Sequence, residues 1–465
     1  MKNLNRRRFI QKTSLGAAAT VLSPRLSSGA WVPATQSNQQ YMGGFAAAPL
    51  PVVRMAFIGV GYRGSRHALQ WAEIEGTEIV AICDLYDDLV RKTASECQQI
   101  GKGARHQNIA TYSGDAMAWK KMLAEIDADA VIISTNWINH APMAKESMLS
   151  GAHTFVEVPL ALRLEDLWEL VDISEATQKH CMMMENVNYG RDELMYLNLC
   201  RQGKIGELLH GEAAYIHELR WQMEELPRGT GSWRTTHYAN RSGNLYPTHG
   251  LGPIAQYMNI ARGEDLFDHM VSFSTPARGR NLHAKKNYPP EHPWNQFDFK
   301  GGDLNTSLIK TQIGRTILVQ WDETSPRPYT RLNLIQGTLG TLAGYPTRVA
   351  FEGGFEGITD SHHDWIQGEA LQKLYEKYEH PLYKRLGLLA EKMGGHGGMD
   401  FIMRYRIVEC LLQGKPLDQN VYEGCFWSAV TPLSEQSVAE NGRSQAFPDF
   451  TRGRWQNTDP LAIIK

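Results

Sequence analysis

The first regular hydrophobic pattern in the chain is an apolar run that leads directly into a glycine-rich string. The run from Val52 to Ile58 predicts a buried strand, and Gly59-Val60-Gly61-Tyr62-Arg63-Gly64 follows it. Helical spacing resumes from Arg66 to Glu73, and a second strand pattern, from Glu78 to Cys83, ends in Asp84. A strand, a glycine turn, a helix and a strand closed by an acid, about 20 residues past the last glycine, form the fingerprint of a dinucleotide-binding unit.

The same alternation of helical and strand periodicity continues to residue 157. The predicted elements are a helix from Leu89 to Ile100, a strand from Ala130 to Ser134, a helix from Met143 to Ser150 and a strand from His153 to Glu157. Repeated βα units imply a doubly wound parallel sheet. We therefore predict an α/β fold class with an N-terminal Rossmann domain over residues 52–188.

After about Asn188 the pattern changes to longer alternating strands separated by turn-rich stretches. Examples are Glu207 to His217, Thr306 to Ile313 and Thr316 to Trp321, and a late helix is predicted from Gly398 to Leu412. These patterns indicate a second, α+β domain over residues 189–465, with a mostly antiparallel open sheet and a late C-terminal helix.

The first thirty residues differ in kind from the rest. Asn5-Arg6-Arg7-Arg8-Phe9-Ile10-Gln11-Lys12 precedes a mildly apolar stretch from Leu15 to Leu22, which is typical of a twin-arginine export signal. The stretch is too short to span a membrane. We predict a signal peptide over residues 1–30, a linker over 31–51, and a periplasmic or cell-envelope location.

Composition narrows the class of partner. Among 465 residues, 48 Lys and Arg nearly balance 50 Asp and Glu, which argues against nucleic acid or an anionic membrane as the main partner. The six cysteines show no metal-binding or disulfide spacing, so no metal site is predicted. We expect a small-molecule substrate, or one presented as the terminal group of a larger molecule.

Each glycine of the glycine string has a physical role in binding a dinucleotide. Gly59 permits the tight turn, Gly61 lets the backbone approach a pyrophosphate, and Gly64 lets the helix pack on the strand. The helix N-terminus adds partial positive charge for the phosphates. Asp84 would hydrogen-bond the ribose hydroxyls and repel a 2′-phosphate, so the pattern predicts NAD as the cofactor.

Further candidates lie where other predicted strands end, the edge at which open α/β sheets bind ligands. Trp137 and His140 follow the strand that ends at Ser134, and they are either cofactor contacts or packed loop residues. Two more strand ends carry Glu157-Val158-Pro159 and Glu185-Asn186-Val187-Asn188-Tyr189. In the second domain, His249 stands in a turn flanked by Pro and Gly and carries an imidazole suited to proton transfer near neutrality.

At these positions the chain resembles the glucose-fructose oxidoreductase and inositol dehydrogenase family (Gfo/Idh/MocA), from about residue 52 onward. Members pair a Rossmann domain with an α/β domain that carries the substrate. Most of them read Glu-Lys-Pro where this chain has Glu157-Val158-Pro159, and that lysine supports proton transfer from the alcohol being oxidised. Its replacement by Val158 puts an ordinary sugar dehydrogenase in doubt.

The valine, with the strings Tyr246 to Pro253 and Gly394 to Asp400, makes the chain resemble the family 109 glycoside hydrolases, which are NAD-dependent α-N-acetylgalactosaminidases. The resemblance implies NAD contacts from Arg63, Gly64, Asp84, Trp137 to His140, Glu157, Val158 and Asn186. It implies sugar contacts from Tyr215, Arg234, Tyr246, Pro247, Thr248, His249 and Tyr329. From the residues alone, the tyrosines could equally be core residues, and Arg234 could cap a helix.

An exported protein with a soluble cofactor needs chemistry that returns the cofactor to its starting state, because no NAD pool is available outside the cytoplasm. The mechanism implied by the resemblance meets this condition through transient oxidation at C3 of the sugar, elimination across C1 and C2, water addition and re-reduction. It would keep NAD tightly bound and recycle it in each turnover.

We assign Tyr189 as the base at C2, or else as a structural tyrosine, and His249 to proton exchange at the C3 oxygen or the leaving group. Tyr246 and Tyr329 would orient the sugar.

Two alternatives stay open. One is a periplasmic sugar dehydrogenase or epimerising oxidoreductase, and the other is a binding or sensor protein stabilised by its cofactor. The exposed face of the second sheet would also allow a homo-oligomer, by analogy with similar folds.

Overall fold

The structure is a computed structural model that describes residues 40–100, 105–361 and 363–464. The predicted export signal and residues 31–39 of the predicted linker lie outside the described residues. No helix in the described part of the chain is long and apolar enough to cross a bilayer.

Six parallel strands form the N-terminal sheet, in the order β3-β2-β1-β4-β5-β6. The strands are β1 (Val53–Ile58), β2 (Thr77–Cys83), β3 (Ala110–Tyr112), β4 (Ala130–Ile133), β5 (His153–Val156) and β6 (Cys181–Met183). Their short apolar runs are nearly all buried, as strands covered by helices on both faces require. The predicted doubly wound parallel sheet is confirmed.

Five helices connect these strands: α1 (Tyr62–Ala72), α2 (Asp87–Ile100), α3 (Ala118–Glu125), α4 (Trp137–Leu149) and α5 (Leu164–Thr177). Helix α4 begins at Trp137, six residues before the predicted start at Met143. Its first turn carries Asn139 and His140, and Pro142 follows, so apolar periodicity does not reveal that the helix has already begun.

Within the described residues, the second sheet has nine strands in the order β14-β13-β12-β11-β7-β10-β9-β8-β15. They are β7 (Leu208–Ile216), β8 (Phe267–Ser274), β9 (Leu304–Thr311), β10 (Thr316–Asp322), β11 (Leu334–Gly337), β12 (Gly340–Ala343), β13 (Arg348–Phe351), β14 (Ile366–Gln367) and β15 (Gln445–Ala446). Only β7 and β10 pair in parallel among the described strands of this sheet, so the prediction of a mostly antiparallel sheet is confirmed.

The remaining helices are α6 (Arg191–Arg201), α7 (Thr230–Asn240), α8 (Thr248–Tyr257), α9 (Gly279–Asn287), α10 (Leu371–Tyr378), α11 (Pro381–Met393), α12 (Met399–Gln413) and α13 (Val421–Ala439). Helix α12 is the predicted late helix. The sequence prediction missed α13, because it is buried on nearly all sides and therefore has almost no amphipathic periodicity. It begins with a capping box, in which Asn420 and Glu423 bond each other's backbone N–H groups.

The two halves of the chain share their packing. Leu386, Phe401 and Ile407, from α11 and α12, join Met55 and Phe57 of β1 in one apolar cluster. The helices of the late region therefore cover the N-terminal sheet, and the predicted boundary at residue 188 does not separate two independent cores.

The described end of the predicted linker is also packed. The ring of Tyr41 stacks on Tyr422 with centroids 4.9 Å apart, and Met42 is buried. The segment rich in Pro, Gln, Ala and Gly predicts a linker, and its described end contacts α13 through Tyr41 and the backbone of Met42.

Candidate functional site

The glycine string between β1 and α1 has the geometry of a phosphate cradle. Gly59 has a φ of +85°, and a Cβ there would lie 2.6 Å from the carbonyl oxygen of Ser134. A Cβ on Gly64 would lie 1.9 Å from the carbonyl oxygen of Gly59, so only glycine allows this close packing. A Cβ on Gly61 would meet nothing within 4 Å. The open side of the loop at Gly61 therefore leaves room for a pyrophosphate at the N-terminus of α1.

Asp84 stands at the carboxyl end of β2, beside this loop. One carboxylate oxygen accepts a hydrogen bond from the backbone N–H of Val60 at 2.7 Å, and the other accepts from that of Tyr86 at 3.0 Å. These bonds fix the carboxylate at the edge of the cradle, where its remaining lone pairs can accept ribose hydroxyls.

Arg63 of the glycine string is held by two carboxylates from distant parts of the chain. Its Nε donates to Glu157 at 2.8 Å, and its two terminal nitrogens donate to the two oxygens of Asp400 at 2.6 and 2.9 Å. Asp400 also accepts from Nδ2 of Asn186 at 2.7 Å. Arg63 thus links the glycine string to the start of α12. Its contact with NAD stays a prediction.

Burial alone would raise the pKa values of Glu157 and Asp400, but the guanidinium of Arg63 reverses the effect and holds both pKa values below their usual range. His67 of α1 contacts Glu157 from the other side. Nδ1 of His67 accepts from Nε of Arg404 at 2.9 Å, so the proton is on Nε2, which donates to Glu157. Burial, with the charges of Arg404 and Arg63, lowers the pKa of His67 to about 4.

The two predicted contacts Val158 and His140 are both buried. The ring nitrogens of His140 lie 2.7 Å from the carbonyl oxygen of Pro159 and 3.1 Å from that of Thr135. Since both nitrogens already face backbone carbonyls, His140 holds the loops together, which is the packed alternative left open by the sequence.

Several polar atoms along the carboxyl edge of the sheet lack a partner within the described part of the chain. They include Oγ of Ser134 and Oδ1 of Asn186, at the ends of β4 and β6. Buried polar groups are rarely left unpaired without a reason. Together with the open glycine loop, these atoms fit a bound dinucleotide that would satisfy them.

Four of the predicted sugar contacts meet in one aromatic cluster. The ring of Tyr215, on β7, lies 4.6 Å from Tyr246, 5.4 Å from His249 and 6.3 Å from Tyr329, between ring centroids. We call these four residues the sugar wall. His217, which the sequence did not single out, joins the wall because its Nδ1 lies 2.9 Å from the hydroxyl of Tyr215.

Trp137 joins the wall to the Rossmann half. Its ring, at the first position of α4, lies 6.0 Å from Tyr246 and 5.0 Å from Trp233. The guanidinium of Arg234 stands over Trp137 and Tyr246 at 5.2 and 5.1 Å. Its Nε is buried and finds no hydrogen-bond acceptor among the described residues. Arg234 therefore lies inside the site rather than capping a helix end, and it can donate to a ligand.

His249 has a carboxylate partner that the sequence prediction did not include. Its Nδ1 lies 2.7 Å from Oε1 of Glu185, a residue with a fully buried side chain just after β6. Oε2 of Glu185 is buried and has no partner in the described chain. The carboxylate fixes the imidazole so that Nε2 is left to exchange a proton, as in other carboxylate–histidine pairs. The position of Glu185 just after a predicted strand is the sequence signal that could have identified it.

Tyr189 lies in an apolar cluster that also contains Rossmann strands, and not with the aromatic residues of the sugar wall. Its buried hydroxyl donates to Asp418 at 3.2 Å, and the side chain belongs to the apolar cluster under the Rossmann sheet. Burial, followed by the charge of Asp418, raises its pKa well above the usual value. Because this hydroxyl keeps its proton in a hydrogen bond to Asp418, inside an apolar cluster and away from the aromatic cluster of the predicted sugar contacts, the structural alternative fits Tyr189 better.

The other predicted contacts stand at the start of α8. Pro247 precedes the helix, and Thr248 opens it with a buried hydroxyl that lacks a partner in the described chain. They place His249 in the first turn of α8, facing the sugar wall.

Two family models match the chain. Residues 53–185 match the oxidoreductase family with an NAD-binding Rossmann fold, and residues 189–457 match the C-terminal domain of glycosyl hydrolase 109. The chain is 61% identical over 426 residues to glycosyl hydrolase family 109 protein 1 of Akkermansia muciniphila, covering 91% of this chain and 87% of that protein. It is 52% identical to a family 109 protein of Shewanella sp. strain W3-18-1, with all of both chains covered.

Among solved structures, a levoglucosan dehydrogenase in complex with NADH and levoglucosan superposes with a TM-score of 0.62 at 18% identity, covering 85% of this chain and 99% of that one. An NAD-binding oxidoreductase from Klebsiella pneumoniae superposes with a TM-score of 0.63 at 16% identity, over 85% and 99% of the two chains. At these identities the likeness shows the shared fold.

Proposed function

Since the chain belongs to glycosyl hydrolase family 109 and carries an NAD-type Rossmann fold, we propose that it releases terminal α-linked N-acetylgalactosamine by a redox-neutral, NAD-dependent route. The observation that carries the proposal is the contact of Trp137 with Tyr246. It sets the sugar wall, with the Glu185–His249 pair, directly against the cofactor half of the site.

The chain's own residues supply the cofactor site. The open loop at Gly61 would hold the pyrophosphate, Asp84 would hold the adenosine ribose, and Ser134 and Asn186 would bond further polar groups of the cofactor. When bound, NAD⁺ supplies a reversible two-electron acceptor for the C3–H bond of the sugar. Arg63 and Asp400 tie α12 across this loop, which supports tight retention of the cofactor.

Within the sugar wall, His249 takes the proton of the C3 hydroxyl as that alcohol becomes a ketone. The ketone acidifies the C2–H bond, a base removes this proton, and the C1–O bond breaks as a double bond forms between C1 and C2. The departing aglycone oxygen takes up a proton, equivalent to the one lost from C2, and leaves as an alcohol. Water then adds across the double bond, its hydroxyl to C1 and its proton to C2, and His249 returns its proton to the C3 oxygen as the alcohol is restored. The sugar gains one water and no net electrons, so no second substrate is consumed, and no flanking pair of carboxylates is required.

We propose that the base at C2 is a residue of the sugar wall rather than Tyr189. Burial raises the pKa values of both Tyr189 and Tyr215, so position decides between them. Tyr215 lies in the sugar wall, and its hydroxyl is 2.9 Å from Nδ1 of His217. We propose the pair Tyr215 and His217 for the proton at C2.

A panel of α- and β-linked nitrophenyl N-acetylhexosaminides, assayed without added NAD, tests the proposal. We expect release of nitrophenol from the α-N-acetylgalactosaminide and NAD that co-purifies with the protein. Steady accumulation of NADH at 340 nm with free sugars would instead support the sugar dehydrogenase. Bound NAD without turnover of any glycoside would support the binding or sensor protein.

The twin-arginine pattern in residues 1–30 leads us to propose export of the folded protein with its cofactor. Outside the cytoplasm no NAD pool is available to replace the cofactor, so an exported enzyme must keep its NAD bound.

A further inference from the structure

A cavity of about 240 Å³ lies between the N-terminal end of α4 and the C-terminal part of α7. Its lining consists of Asn136, Ile138, Trp233, Thr236, His237, Asn240 and Arg241. The five residues from α7 and its end recur at three- and four-residue spacing, so they form one face of the helix. Ile138 is 61% exposed, so the cavity opens to solvent on that side.

The cavity adjoins the sugar wall without being part of it. Trp233 and His237 line the cavity and also contact Trp137, with centroids 5.0 and 5.1 Å apart. Trp137 in turn contacts Tyr246 of the wall. The cavity and the wall therefore lie on either side of the ring of Trp137.

Two polar atoms of the cavity residues lack a partner in the described chain. Oδ1 of Asn136 is a buried acceptor, and Nη1 of Arg241 is a buried donor. The other nitrogens of Arg241 donate to Glu435 at 2.7 and 2.5 Å, which fixes the guanidinium in place. One donor and one acceptor held rigidly beside an aromatic ring suit a ligand with hydroxyl groups and an apolar face.

The charges of the cavity cancel. Arg241 is neutralised by Glu435, and burial, with the charges of Arg241 and Arg234, lowers the pKa of His237 to about 4. The histidine is therefore neutral at pH 7. An anionic ligand gains nothing from this balance, and the volume, below the roughly 300 Å³ of sites for larger ligands, fits one ring.

We propose that this cavity is a subsite for the neutral sugar residue to which the terminal N-acetylgalactosamine is attached. The proposal rests on the proposed function and deepens it, since it makes the natural substrate at least a disaccharide. The second sugar would lie against Trp233 and hydrogen-bond Asn136 and Arg241.

The test compares two glycosides on variants of the full chain. Thr236→Phe fills the cavity, and Thr230→Phe places the same substitution in the first turn of α7, outside the lining. The substrates are methyl α-N-acetylgalactosaminide, whose leaving group is too small to reach the cavity, and N-acetylgalactosamine α-linked to galactose. Bound NAD and the unfolding midpoint are measured for each variant, and Asn240→Trp, at the exposed rim, replaces Thr236→Phe if the latter does not fold.

We expect Thr236→Phe to lower kcat/KM on the disaccharide about tenfold and on the methyl glycoside less than about twofold, with Thr230→Phe near wild type on both. An unchanged disaccharide rate overturns the subsite. Equal losses on both substrates, together with loss of bound NAD, also overturn it and assign the cavity to the cofactor. A wild-type protein that cleaves neither glycoside contradicts the proposed function itself, an outcome distinct from a selective failure of the subsite.

Discussion

At the scale of single residues, the site depends on side chains whose partners are far away in sequence. His249 could be predicted as a candidate because it lies between Pro and Gly in a predicted turn. Glu185, which orients its ring, lies 64 residues earlier and follows a different element. Arg63 was predicted as a cofactor contact from its place in the glycine string, and its pairing with Asp400 could not be foreseen from a separation of 337 residues. The sequence motifs thus pointed to candidate residues, while the fold determines which side chains they contact.

The Glu185–His249 pair predicts two graded losses of activity. His249→Asn removes the proton-transfer group and should lower kcat by about 10²- to 10⁴-fold. Glu185→Gln keeps a hydrogen-bond acceptor for Nδ1 but removes the carboxylate that orients the ring, so we expect a loss in kcat of about 10- to 100-fold.

Glu175→Gln is the matched control, since Glu175 is also fully buried but pairs with Arg452 and Arg454. Its kcat should stay within about twofold of the wild type. A wild-type kcat for Glu185→Gln would contradict the role of Glu185.

The two tyrosine assignments make opposite predictions. Tyr215→Phe should slow the incorporation of solvent deuterium at C2 by about 10²-fold or more, because the base is lost. Tyr189→Phe should leave this exchange within roughly threefold and lower the free energy of unfolding by about 1–2 kcal/mol, because the buried bond to Asp418 is lost. The opposite pattern, measured by exchange and by denaturant unfolding, would restore Tyr189 as the base.

At the scale of elements, α1 and α12 are joined by a buried charge network that includes His67, Glu157, Asp400 and Arg404. Its members come from a Rossmann helix, a strand end and a late helix. Removal of one partner from such a network is costly because a buried charge is left uncompensated. The network therefore holds the late helices on the cofactor loop.

This network predicts a pH-dependent stability. The pKa of His67 is about 4 in the folded protein and about 6.5 in the unfolded chain, so the unfolded chain alone takes up a proton as pH falls below 6.5. The contribution of neutral His67 to the free energy of unfolding is therefore complete above pH 6.5 and is lost progressively as the pH falls to 4. At pH 5 we expect a cost of about 2 kcal/mol in the free energy of unfolding from this residue.

His67→Gln serves as the comparison, since the amide can still donate to Glu157 and accept from Arg404 without titrating. Denaturant unfolding at pH 7 and pH 5 should show that the variant loses about 2 kcal/mol less than the wild type over this interval. Equal losses in the two proteins would mean that His67 is not the group that titrates.

At the scale of the whole molecule, the alternation of βα units was enough to predict the Rossmann sheet, because short buried strands and a glycine turn have a strong local signature. The mostly antiparallel type of the second sheet was predicted from strand patterns such as Thr316 to Trp321. The order of its strands was not predicted, because strand order depends on contacts distant in sequence. Helix α13 escaped prediction because burial on all sides removes helical periodicity. The sugar wall could be listed from a family resemblance, but only the fold brings Tyr215, Tyr246, His249 and Tyr329 together.

The central claim is that the glycosidic bond is broken by elimination after transient oxidation, with the cofactor restored in each turnover. The most direct measurement is hydrolysis of nitrophenyl α-N-acetylgalactosaminide in D₂O, without added NAD, followed by NMR or mass spectrometry of the released sugar. The account predicts one deuterium at C2 of the N-acetylgalactosamine product. Hydrolysis at the full rate with hydrogen retained at C2 would contradict it.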